Sequence, residues 1–200
     1  MKDRKEFIIR KAMELYALKG YQNVSITDLQ FALDMGRGTL YYYFHNQDEL
    51  FLTCMEKYFL EPKQRALNSV PEDAGIERMI AAITDYLHCL EETLMTFDNK
   101  TINTSNVNEL MFTAYSKFPS LHRKAQRLAL KELELWRKAI YADQRAGLVR
   151  RDIDRDQIAL MFTHVKNTFD PALGQTQMNF SLLTKTYSEL HNLLKKEEKM

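Results

Sequence analysis

The chain is poor in the residues that break or bridge a polypeptide. Six glycines and four prolines among 200 residues leave few forced turns, which suits a mostly helical chain. Two cysteines, Cys54 and Cys89, both in apolar helical patterns, make no disulfide framework and read as packed, reduced thiols of a cytoplasmic protein. No run of about 20 apolar residues is present, so no membrane span is expected. The opening MKDRKEFIIR carries charges but no apolar core, so no signal peptide is expected either. Neither sign of charge dominates: Lys+Arg number 28 against Asp+Glu 27, a formal net charge of +1. Any basic patch must therefore be local.

Catalytic patterns are missing too. The sequence has no glycine-rich phosphate loop after a strand, no G-x-S-x-G, no HExxH and no CxxC. HCLEE (88–92) sets His88 beside Cys89, Glu91 and Glu92, but one histidine among acids is common by chance and does not make a metal site. The chain reads as no enzyme, with no catalytic residue, metal or cofactor.

What is present is apolar and periodic. Hydrophobic residues make up 45% of the chain and aromatics 11%, enough for a substantial core. Ile8, Ala12, Leu15 and Tyr16 fall at helical spacing from Asp3 to Lys19, and Gly20 follows where a positive φ ends a helix cheaply. Ser25 and Asp28 have capping-box spacing before a short helix over 26–33. Asp34 breaks it with a left-handed residue, and a third helix runs from Gly36 or Arg37 to Tyr43. Asn46 caps a fourth, with Glu49 three residues on, towards Leu60. Pro62 and NSVPEDAG (68–75) mark a boundary. Longer helices follow over about 75–96 and 107–117; after the punctuation Phe118-Pro119-Ser120 a long helix runs to about Arg145, IDRDQ (153–157) opens an apolar helix to Phe169, and the last runs over about 178–194. The polar stretch DNKTINTSN (98–106) lies between the first two. The count is nine helices and no convincing strand.

The stretch GRGTLYYYF (36–44) carries the functional signal. Leu40 and Phe44, four apart, would anchor the third helix inward. Positions 38, 41, 42 and 45 fall on the other side, beside Arg37, Thr39 and Tyr43. Burial alone does not ask for three phenols with so much polar surface. Two short helices joined by a tight turn read as helix-turn-helix. Arg37 can donate two hydrogen bonds to a guanine edge, and the phenols suit phosphate oxygens.

These residues resemble the TetR family of transcriptional regulators. The family pattern reads here as KGY (19–21), SIT (25–27), GTLYYYF (38–44) and NQDEL (46–50), a resemblance over about residues 5–60. Asp34 stands where the turn usually has glycine, Gly36 where serine often caps, and Gln47 where a lysine commonly opens the next helix. The resemblance implies an all-α fold. An N-terminal helix-turn-helix DNA-binding domain (1–46) would be joined to a helical effector-binding and dimerisation domain (47–200), with a helix over about 47–60 linking the two. It implies DNA contacts at Ser25, Thr27, Gly36, Arg37, Gly38, Thr39, Tyr41, Tyr42, Tyr43 and Gln47, with double-stranded DNA as partner.

Reading an operator with one short helix is weak, and a homodimer is the usual remedy. The last two helices carry Ile158, Met161, Phe162, Val165 and Phe169, and Leu183, Tyr187, Leu190 and Leu194. Such helices need cover on more than one side, and the resemblance makes them the dimer interface. It also implies a small-molecule effector. Tyr86, His88, Met111, Phe112, Tyr115, Trp136, Phe162 and His164 are candidate lining residues, suited to an apolar or aromatic compound. The expected function is a repressor released from a palindromic operator by its effector. The alternative is a helical protein–protein adaptor whose helix-turn-helix no longer binds DNA.

Overall fold

A computed structural model describes residues 2–97, 104–165 and 179–196. The helices are α1 (Lys2–Lys19), α2 (Ile26–Leu33), α3 (Arg37–Tyr43), α4 (Gln47–Met55), α5 (Glu61–Asn68), α6 (Ile76–Met95), α7 (Thr104–Lys117), α8 (Pro119–Ala146), α9 (Arg155–His164) and α10 (Phe180–Leu194). A 3-10 turn, Tyr21–Asn23, follows α1. A π-helical turn, Glu56–Leu60, joins α4 to α5 without a break. Counted through that turn, the described residues hold nine helices and no strand, the all-α chain that the sequence predicts. The segment expected to close the apolar helix at Phe169 lies outside the described residues.

Pro62 does not end the fourth helix as its position suggests. The Glu61 N–H donates to the Glu56 carbonyl, one residue further back than in an α-helix. A proline ring crowds the carbonyl four residues earlier and brings no N–H. The widened turn just before Pro62 accommodates both, and the helix continues to Asn68. Local chemistry matches expectation elsewhere. Gly20 and Gly147 take φ of 78° behind α1 and α8, the left-handed side that a Cβ resists.

The chain divides into two compact units, Met1–Glu61 with Glu92–Ala125, and Pro62–Glu91 with Gln126–Met200. In the first, α1 packs on α2, α4 and α7. Ile8, Ala12 and Met13 of α1 meet a core of Leu29, Leu40, Phe44, Leu50, Phe51, Leu110 and Ala114, all buried. Tyr16, Tyr21, Phe51 and Phe118 form an aromatic cluster, with Phe51 at 5.1 Å from Tyr16 and 4.3 Å from Tyr21 between ring centres.

In the second unit Trp136, Phe162 and Tyr187 lie nearly parallel, 4.4 Å, 5.9 Å and 6.3 Å apart in pairs. Ile76, Met79, Ile83, Leu87, Ile140 and Leu183 surround them. Asp143 of α8 accepts the Ile76 N–H at 2.9 Å and so caps α6. Gly75 is required there, since a Cβ would meet the Asp143 carboxylate at 2.2 Å. Glu132, wholly buried, pairs with Lys63 at 2.7 Å. Among the described residues no helix is long and apolar enough to cross a membrane.

Candidate nucleic-acid interface

Local chemistry sets the position of α3. The Ser25 hydroxyl accepts the Asp28 N–H while the Asp28 carboxylate accepts the Ser25 N–H, a reciprocal cap that starts α2. Lys19 also donates to Asp28 at 2.7 Å. That cation, with the Ser25 donors, holds the Asp28 carboxyl well below the usual carboxylate range. Helix α2 ends at Asp34, the one non-glycine residue at positive φ among those described, 48°. Met35 N–H bonds to the Gln30 carbonyl and Asp34 N–H to that of Phe31, the paired closure of a left-handed helix end. The turn delivers the chain to Gly36, which caps α3 with no side-chain bond.

Helix α3 is anchored by two residues, Leu40 and Phe44, 3% and 2% exposed. Its other face is open. Tyr42 is 69% exposed and Tyr41 39%, while Thr39 and Tyr43 are half-buried. Arg37 and Gly38 are exposed on the same turn. The Arg37 guanidinium lies 5.5 Å from the Tyr41 ring centre and enters no ion pair with a described residue. A Cβ built on Gly36 or Gly38 would meet nothing within 4 Å, and neither has a positive φ. The fold itself gives no reason for glycine at either position. Close approach of another backbone does give one.

Helix α4 begins beside α3. The Asn46 side chain accepts the Glu49 N–H. Glu49 in turn accepts the His45 N–H and pairs with the exposed His45 ring at 2.8 Å, which lowers the Glu49 carboxyl from its ordinary value. Gln47 turns its amide inward and donates to the Val24 carbonyl at 2.6 Å. The Ser25 and Gln47 side chains are thus already engaged within the fold, which leaves second oxygen lone pairs and the backbone N–H groups of a helix start open. Thr27 is exposed on the first turn of α2.

Sequence reasoning did not identify a cluster at this end of α4. Tyr21 donates to the Asp48 carboxylate. Lys117, the last residue of α7, donates to the Tyr21 hydroxyl at 3.0 Å and stands 3.7 Å from Asp48. Burial, then the Asp48 bond, raises the Tyr21 phenol, and the Tyr21 bond raises Lys117. No spacing rule links positions 21, 48 and 117.

The residues expected to line an effector pocket fall in both compact units. Met111, Phe112 and Tyr115 belong to the first compact unit, and Tyr86, His88, Trp136, Phe162 and His164 to the second. Phe112 is 75% exposed. His88 pairs with Glu91 at 3.5 Å on the surface, and the exposed His164 ring meets the Leu160 carbonyl at 2.7 Å. Trp136 and Phe162 are sealed in the core. Tyr86 borders a cleft of about 200 Å³ with Pro62, Arg65, Ala66, Asp85 and Cys89.

The expected dimer stripe divides by exposure. Phe162, Val165, Leu183, Tyr187 and Leu194 are buried against their own chain. Their aromatic and aliphatic surfaces belong to the core that also holds residues of α6 and α8. Ile158 and Leu190 are half-buried. The apolar side chains these helices leave outside are Leu160, Met161, Leu182 and Leu193, 36%, 51%, 52% and 74% exposed.

Residues 8–54 match the family model of bacterial regulatory proteins, tetR family. The chain is 28% identical over 114 residues to the HTH-type transcriptional regulator YhgD of Bacillus subtilis (strain 168), covering 54% of this chain and 60% of that protein. It is 31% identical over 68 residues to the HTH-type regulator YuxN of the same organism, covering 34% of this chain. The matched stretches thus span 60% and 23% of those relatives' lengths. The solved TetR-family regulator PfmR of Thermus thermophilus superposes with a TM-score of 0.64 at 18% identity, over 96% of this chain and 99% of that one.

Proposed function

From the match of residues 8–54 to the TetR family model and the fold that the chain shares with a solved TetR-family regulator, we propose that this protein is a DNA-binding transcriptional repressor. It acts as a homodimer on a palindromic operator and is released by a small-molecule effector. The observation that carries the DNA reading is the open face of α3. A guanidinium without an ion pair among the described residues, two glycines that the fold does not need, and exposed phenols lie together there. Arg37 reads a base edge. Tyr41, Tyr42 and Tyr43, with Ser25, Thr27, Gly36, Thr39 and Gln47, hold the backbone, and Gly38 lets the helix approach. Residues 1–46 are the DNA-binding part and 47–200 the effector and dimerisation part.

The dimer face is assigned to the outer side of α9 and α10, through Met161 and Leu182 with Leu160 and Leu193. These are the apolar groups those helices leave uncovered. The effector has an apolar or aromatic body. The cleft beside Tyr86 adds Arg65 and Asp85, which suit a polar group on that body. An effector that prefers the form with badly spaced recognition helices loosens DNA by its differential affinity. Selection of bound DNA from a random pool, at stated salt, tests the reading. A palindrome with half-sites about 34 Å apart, or a multiple of that, is expected. Binding without any preferred sequence favours the adaptor alternative.

A further inference from the structure

The first turn of α4 carries two carboxylates, Asp48 and Glu49. Glu49 is occupied by His45. Asp48 is half-exposed, with its side chain 51% accessible, and it follows Gln47, which the DNA reading places against the duplex. A bare carboxylate there repels a polyanion. The only cation within ion-pair range of Asp48 among the described residues is Lys117, 3.7 Å away. It comes from a helix that the sequence places almost 70 residues downstream.

Lys117 is held by more than Asp48. Its ammonium donates to the Tyr21 hydroxyl at 3.0 Å and lies 4.3 Å from the Tyr21 ring centre and 5.4 Å from that of Phe118. Tyr21 is 5% exposed and packs on Phe51 and Phe118, so it is a fixed post. The phenol donates to Asp48 and accepts from Lys117. The end of α7 is thereby tied to the start of α4 by a partly buried hydroxyl, with one positive and one negative charge on either side.

We propose that Lys117 is a positioning residue for DNA binding: it neutralises Asp48, so that this carboxylate presents no uncompensated negative charge to the phosphates. The inference rests on the DNA-binding reading and adds to it a residue outside the helix-turn-helix. It also gives α7 a direct means of control, because drawing its end away from Tyr21 bares Asp48.

The test is a charge cycle on the full chain, read as affinity for the selected operator at fixed salt. Lys117→Met leaves a net negative charge and is expected to weaken binding about fivefold per half-site, the effect of one partly screened charge at several ångströms. Asp48→Asn leaves the Lys117 charge without this partner and is expected to tighten binding by a similar factor. The double variant restores neutrality and is expected to bind within about twofold of wild type, and Lys117→Arg likewise. A double variant as weak as Lys117→Met overturns the proposal, since Lys117 would then act by touching DNA or by holding the fold. Lys117→Met binding like wild type overturns it too. Wild-type protein with no preferred sequence removes the DNA-binding reading itself, and this inference with it.

Discussion

At the scale of single residues, what the fold needs and what DNA needs come apart. Gly38 is the sharpest case. It lies inside α3, exposed, with nothing within 4 Å of a Cβ built there. Gly38→Ala should stabilise the folded chain by about 0.5–1 kcal/mol, because alanine is the better helix former. It should weaken operator binding at the same time, and thermal melts beside gel shifts check both. A variant that gains stability and keeps full affinity would show that no backbone approaches this position. Arg37→Ala should cost about 1–3 kcal/mol on the operator and less on random DNA. Equal losses on both would show that Arg37 reads no base. Tyr42 was legible as an outside residue from spacing alone, because Leu40 and Phe44 fix the inward side. Gln47 was only half legible: its place at the start of α4 follows from the Asn46 cap, but the turn of its amide onto Val24 depends on a stretch of backbone 23 residues earlier.

At the scale of elements, caps and turns were readable because their chemistry is local. Ser25 with Asp28, Asn46 with Glu49, and Gly20 and Gly147 at left-handed ends need only neighbours a few residues away. Asp34 was legible as a strained stop, and the strain is testable. Asp34→Gly should raise stability by about 1 kcal/mol, the cost of a side chain in the left-handed region less the entropy of glycine, measured by denaturant midpoint with an unchanged slope. No gain would mean that the Asp34 side chain contributes more than a glycine could replace. The passage of a helix through Pro62 was not legible. A proline normally signals an end, and only the π-helical turn at Glu56–Leu60 removes the clash. The Lys63–Glu132 pair is likewise a product of the fold. Lys63→Met removes the ammonium 2.7 Å from a carboxylate with no exposed surface, and should cost about 3 kcal/mol of stability. A loss near zero would show that Glu132 is held well enough by its other contacts.

At the scale of the whole molecule, helix count and fold class followed from periodicity, while the use of each apolar face did not. The stripe Leu183, Tyr187, Leu190 and Leu194 has the spacing of an interface, yet most of it is buried in the core that holds Trp136 and Phe162. Periodicity tells which residues share a side, and not whether their own chain or a second copy covers it. The dimer is therefore tested on the residues left outside. Met161→Lys with Leu182→Glu should give folded monomers by light scattering at micromolar concentration, with helix content retained and operator affinity lost. A wild-type chain that is itself monomeric would remove the two-half-site picture.

The most direct measurement is selection of DNA from a random pool with wild-type protein and with Arg37→Ala, side by side at one salt concentration. The expected result is the same palindrome from both, with preference relaxed at one base pair in each half-site for the variant. Identical preferences from the two proteins, or no palindrome from wild type, would contradict the claim that the open face of α3 lies in the groove of a duplex.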